Sequence, residues 1–161
     1  MTLKAVPLDV RLAIADLLGD YAAYLDDNRL EEWLEFFTED CAYRVISQEN
    51  EAQGLPICLI LCTNRNMLRD RIASLRKANK YNPHTDRHIV SAPRFLSGEG
   101  GIFAVETSYA VYQTDQEGES RLFSVGCYRD LIVLQNGTPK FKDKTVITNT
   151  AAIPTMLATP L

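Results

Sequence analysis

Three residues of this chain have types and spacing suited to metal chemistry: His84, Asp86 and His88, in the run HTDRH. Two histidines and one carboxylate form the open face that holds non-haem iron. In an extended segment residues 84 and 88 point the same way but lie about 13 Å apart, at ~3.3 Å per residue. Iron–nitrogen bonds are only about 2 Å long, by analogy with zinc. A helix would bring the two rings together, but Pro83 and the β-rich run after His88 oppose one. The residues therefore predict an exposed His84 and a buried, hydrogen-bonded His88.

Other chemistries find less support. An iron–sulfur centre of Rieske type needs two cysteines and two histidines on one cluster. The cysteines Cys41, Cys58, Cys62 and Cys127 all lie more than twenty residues from either histidine. Cys58 and Cys62 are four apart, which suits neither a C-x-x-C redox pair nor a zinc knuckle. Dinucleotide, phosphate-loop and nucleophile-elbow patterns are absent, and Gly98–Gly101 reads as a hairpin. A second enzymatic possibility is a pocket between helices and a curved sheet, where His88 and an acidic residue act on a carbonyl or hydroxyl substrate. Tyr24, Asp40, His88 and Tyr109 are its candidates, for a free-standing dehydratase or isomerase.

The elements that position these residues follow from apolar periodicity. Val10, Ile14, Leu17, Leu18, Tyr21 and Leu25 keep a helical period. A halt at Asp26-Asp27-Asn28 precedes a short second helix, RLEEWLEFF, with an aromatic face. Thr38-Glu39-Asp40 reads as a turn into the strand CAYRVIS, and Gln48 to Gly54 as a polar loop. The run ICLILC fits a buried strand by its shortness. Thr63 or Asn64 caps a basic helix carrying Met67, Leu68, Ile72, Leu75 and Ala78 on one stripe. Its arginines face solvent, an acidic partner or nearby carboxylates. After a turn at Asn82-Pro83, four extended runs follow to Ile153. Asn136-Gly137 is a strong hairpin signal, and Pro93 and Gly126 mark bends or bulges. The expected architecture is one α+β domain over 1–161, helices laid on a strongly curved, mostly antiparallel sheet.

The totals agree. The 161 residues are 46% hydrophobic and 24% charged with net charge −4, the profile of a globular protein without a nucleic-acid-recruiting field. No apolar run reaches the ~20 residues of a membrane span, and the N-terminus lacks signal-peptide features, so a cytoplasmic location is expected.

The run NMLRDRIASLRKANKYNPHTDRHIV resembles the helix–turn–strand signature of small (β) subunits of Rieske-type aromatic-ring-hydroxylating oxygenases, with Asp70-Arg71-Ile72 and Arg87-His88 as its fixed points. The similarity extends to YLDDNRLEEWLEFFTEDCAYRV, to Gly126-Cys127-Tyr128-Arg129-Asp130, and to the tail TMLATPL. Within the family the chain is most similar to small components acting on ring carboxylates: salicylate 5-hydroxylase foremost, beside terephthalate and anthranilate dioxygenases. The resemblance implies a cystatin-like (NTF2-like) cone and a non-catalytic structural subunit. It implies a large α subunit in an α3β3 hexamer, carrying the Rieske [2Fe-2S] cluster and the mononuclear iron, with a ferredoxin and an NAD(P)H-dependent reductase in the wider system. Salicylate 5-hydroxylation to gentisate is the reaction it points to. Arg71, Asp86, Arg87 and His88 would then form a structural polar joint between helix and strand. The tail Ile153–Leu161 would lie against protein, its own or a neighbour's.

Overall fold

The computed structural model describes residues 6–78 and 80–161. Helix α1, Leu8–Asp26, buries Ile14, Leu17, Leu18, Tyr21, Ala22 and Leu25 along the expected stripe. Helix α2, Leu30–Trp33, passes into a 3-10 turn, Leu34–Phe36, so Trp33, Leu34 and Phe37 enter the core from one tight corner. Strand β1 then runs Phe37–Ser47. Thr38-Glu39-Asp40 is therefore strand rather than turn. Glu39 and Asp40 are the exposed pair of that strand, held by Arg65 and Lys142.

The expected loop after β1 is instead helix α3, Gln48–Ala52. Ser47 caps it, its hydroxyl accepting from the Asn50 N–H at 3.2 Å. Strand β2 is Cys58–Cys62, and Asn64 caps helix α4, Arg65–Lys77, accepting from Met67 N–H at 2.9 Å. The basic face of α4 is tied down by carboxylates. Arg65 reaches Glu35 and Glu39, and Arg76 reaches Glu31 and the Asn28 side chain and carbonyl.

Strand β3 is His84–Val90 and β4 is Arg94–Glu99, so one expected run is two strands broken at Pro93. Proline lacks the N–H the ladder needs there. Both pair with β5, Ile102–Asp115, which continues into β6, Ser120–Gln135, and β7, Thr138–Thr148. The β6–β7 turn has Asn136 and Gly137 at φ 53° and 81°, the positive pair a two-residue hairpin requires. The sheet order is β2-β1-β7-β6-β5-β3, all antiparallel except β1 against β7. Register shifts interrupt β1, β4, β5 and β6, bending the sheet around the helices. Gly126 is not among those shifts; it pairs in register with Tyr109 and Thr148. Its hydrogen matters instead, because a Cβ there would stand 1.9 Å from the Ile147 carbonyl oxygen.

Alternation sorts the two faces. Phe103, Val105, Thr107, Tyr109, Val111 and Gln113 of β5 point inward, as do Tyr128, Asp130 and Ile132 of β6. Helix α1 packs on β3 and β7, and α4 packs on β1. This is an α+β cystatin-like (NTF2-like) cone. Among the described residues no helix is long and apolar enough to cross a membrane.

Candidate functional site

His84, Asp86 and His88 fall into two carboxylate–histidine pairs, not one cluster. His88 Nδ1 lies 2.7 Å from Asp26 Oδ1, and the His88 backbone N–H donates to the same carboxylate at 3.0 Å. That carboxylate fixes the tautomer with the proton on Nδ1, leaving Nε2 buried without a partner among the described residues. His84 Nδ1 is 2.7 Å from the Asn82 carbonyl oxygen, and its Nε2 is 3.6 Å from Asp86. The His84 side chain is only 7% exposed, so it is covered rather than lying free on the surface as expected. The ring folds back onto the chain two residues earlier, and Tyr81 packs on it at 5.6 Å.

Of the four joint residues, three gather around α1 and β3. Arg87 reaches Asp26 at 3.5 Å while its side chain stays 72% exposed. Asp86 accepts from Gln113 and from Thr159, each at 3.3 Å. Arg71 lies elsewhere: α4 packs on β1, and the Arg71 charge acts on Tyr43 and Cys62. The helix that meets β3 is thus α1 rather than α4. Asp26 is the partner that sequence reasoning missed, taken there only for a helix stop.

The rival pocket set also disperses. Tyr24 packs on Phe36 and under the Arg29 guanidinium, and Asp40 is an exposed partner of Lys142. Tyr109 is buried, bonded to the Ser124 hydroxyl at 3.0 Å and stacked on Tyr128 at 4.5 Å. Only His88 keeps an acid beside it, and that acid is Asp26.

Deeper in the cone, Lys144 Nζ sits 3.1 and 3.2 Å from the Asp130 oxygens, both side chains fully buried. The ammonium also lies over the rings of Tyr128, Tyr21 and Phe141 at 3.8, 4.1 and 4.5 Å. Burial pushes the Asp130 carboxyl up to about 6 despite Lys144, and pulls the Lys144 ammonium down. Strand alternation with Tyr128 and Ile132 could have placed Asp130 inside from sequence.

The donor set does not fit an iron–sulfur cluster or a mononuclear iron. Each histidine nitrogen facing a carboxylate is engaged with it, and burial raises the thiols of Cys41, to about 11, and of Cys62. Among the described residues no group of three or more His, Cys, Asp or Glu could hold a metal ion.

The fold and site are thus a curved sheet closed over helices with a carboxylate–histidine pair at its rim. Residues 21–155 match the family described as ring hydroxylating beta subunit. The chain belongs to that family. It is 43% identical to the anthranilate 1,2-dioxygenase small subunit of Burkholderia cepacia over 145 residues, 90% of each chain. It is 33% identical to a terephthalate 1,2-dioxygenase terminal oxygenase β subunit of Comamonas sp., covering 93% of this chain and 97% of the relative. Among solved structures, the β subunit of a putative aromatic-ring-hydroxylating dioxygenase from Novosphingobium aromaticivorans superposes with a TM-score of 0.87. Identity there is 41%, over 94% of this chain and 97% of that one.

Proposed function

We propose that this chain is the structural small subunit of a cytoplasmic, NAD(P)H-dependent ring-hydroxylating oxygenase acting on an aromatic carboxylate. The observation that carries this is the near full-length likeness to the anthranilate 1,2-dioxygenase small subunit, joined to a donor set unsuited to iron. The Rieske cluster and the mononuclear iron belong, in this reading, to a large subunit seated beside this chain in an α3β3 hexamer. Ferredoxin and reductase supply the electrons. Salicylate, hydroxylated at carbon 5 to gentisate, is the substrate of this reading; relatives are named for anthranilate and terephthalate.

The outer face of the sheet supports an assembling role. Ile89, Tyr112 and Leu122 are exposed on neighbouring strands, as are Leu59 and Leu61 on the edge strand β2 and Leu96 and Leu131 further along. Obligate interfaces bury ~2,000 Å² or more of rather apolar surface. The joint proposed for Asp86, Arg87 and His88, with Asp26 in place of Arg71, holds α1 to β3 and so sets the curvature of that face.

The test is to purify the chain with and without its large partner and to assay iron and hydroxylation. Iron is expected to follow the large subunit, and salicylate turnover to require both chains with reductase and ferredoxin. Stoichiometric iron on this chain alone overturns the reading. Turnover of anthranilate without salicylate overturns the substrate.

A further inference from the structure

The last stretch of the sequence enters the cone's interior. After β7 the chain forms neither strand nor helix, yet Ala158 and Leu161 are buried in the core cluster, and Ile153 and Leu157 pack against it. A segment without its own ladder brings bare peptide groups into an apolar space, where each unpaired group is costly. Here side chains replace the ladder. Tyr21 from α1 and Tyr43 from β1, at 3.2 Å, donate their hydroxyls to the Leu161 carbonyl oxygen, and the Leu161 N–H donates to the Tyr43 hydroxyl at 3.0 Å. Burial holds both phenols well above their ordinary range, so both remain donors.

Several buried polar atoms have no partner among the described residues, Trp33 Nε1 and Thr107 Oγ1 among them. The Tyr128 hydroxyl and His88 Nε2 are two more. The Tyr128 ring lies 5.8 Å from that of Tyr21. Thr159 donates its hydroxyl to Asp86 at 3.3 Å, beside a cavity of about 220 Å³ whose lining includes Thr159, Asp86 and Asp26. Ala158–Leu161 thus lie among core side chains, tethered at Thr159 and Leu161, with a separate surface cavity beside Thr159.

We propose that Ala158–Leu161 is an exchangeable plug in a binding cavity for a small aromatic carboxylic acid. The acid's oxygen takes the place of the Leu161 carbonyl between Tyr21 and Tyr43. Its ring takes the place of the Leu161 side chain among the aromatic rings, and the unpartnered Tyr128 hydroxyl is a further donor. The exchange is non-covalent and reversible, and the bound acid and the docked plug exclude one another. The site goes beyond the structural-subunit reading and does not depend on it.

Benzoate is the probe. In the full chain, amide exchange at Leu161 is expected to speed up about tenfold or more at saturating benzoate, because the displaced segment joins the low-stability end of the fold. A chain ending at Leu157 is expected to bind benzoate at least about tenfold more tightly than the full chain, since the plug no longer reduces the competent fraction. Adding Tyr21→Phe and Tyr43→Phe to that shortened chain is expected to abolish the gain. Exchange at Leu161 unchanged by benzoate overturns the proposal, even where benzoate binds elsewhere. So does a shortened chain of unaltered circular dichroism that binds no more tightly. Should the shortened chain lose its fold, the exchange measurement on the full chain decides alone. No large subunit enters either assay, so neither outcome bears on the subunit reading.

Discussion

The two faces of the sheet manage polarity in opposite ways. Inside the cone, charge is scarce and confined: Lys144 and Asp130 neutralise each other under three aromatic rings, and Asp26 is saturated by His88 and Arg87. On the outside, charges run in an open row. Arg94 and Arg129 share Glu106, and Arg129 and Arg44 share Glu51, with exposed leucines on either side. The inner charges stand or fall as pairs because burial makes each lone member expensive. The outer ones can be rearranged at little cost, which suits a surface that meets other proteins.

Breaking the inner pair should have the largest effect. Lys144→Met leaves Asp130 buried and uncompensated, with an expected loss of about 3–5 kcal/mol by urea unfolding. Adding Asp130→Leu should recover most of it. The double variant should also lose a pH slope. The Asp130 carboxyl is raised from 3.8 to about 6 by burial, so over that window the folded state holds more protons than the unfolded one. That group's contribution to stability falls as pH rises from about 4 to 6, and without it the slope disappears.

The rim pair is next. Asp26→Ala orphans the backbone N–H and Nδ1 of His88, and about 1–3 kcal/mol should be lost. His88→Gln in the assembled oxygenase should leave turnover unchanged. Lost turnover with assembly, folding and large-subunit iron intact would favour a catalytic His88 and revive the free-standing-enzyme alternative.

On the outer face Leu131→Asp should shift stability by no more than about 0.5 kcal/mol. It should nonetheless weaken association with the large subunit, read by size-exclusion chromatography. Stability lost with assembly retained would reverse the assignment of the two faces. The smallest change is Arg76→Ala. Arg76 holds the Glu31 carboxyl down to about 2, so their bond contributes above pH about 4.5 and fades as pH falls toward 2. Glu31 is well exposed, and solvent screening limits the loss to about 0.5 kcal/mol.

Much of this was legible in the sequence because it is periodic or local. The α1 stripe, the Asn64 cap and the Asn136-Gly137 hairpin are read from neighbours a few residues apart. Helix α3 was not legible, since QENEA has no apolar stripe and depends on the Ser47 cap. The Glu39–Asp40 stretch looked like a turn because its partners, Arg65 and Lys142, are distant in sequence. The place of Asp26 in the candidate site was hidden for the same reason. Asp26 and His88 are 62 positions apart, and nothing local marks a helix-ending aspartate as the partner of a strand histidine. Arg71 was misplaced because sequence order suggested that the helix before β3 packs on it, whereas the topology gives that place to α1.

The single parallel pairing, β1 against β7, has a consequence for how the chain is made. Among the described residues, strands β1 and β2 join the rest of the sheet through β7, whose partners on β1 lie about a hundred positions earlier. On a ribosome, the helices and first two strands emerge with their aromatic core only partly covered, before β7 is there to dock on. Closure waits until Thr138–Thr148 has been released, so folding is set by long-range contacts and comes late in synthesis. Until then Trp33, Phe37 and Tyr43 are partly exposed to any passing surface, and shielding by a chaperone would matter most in that interval.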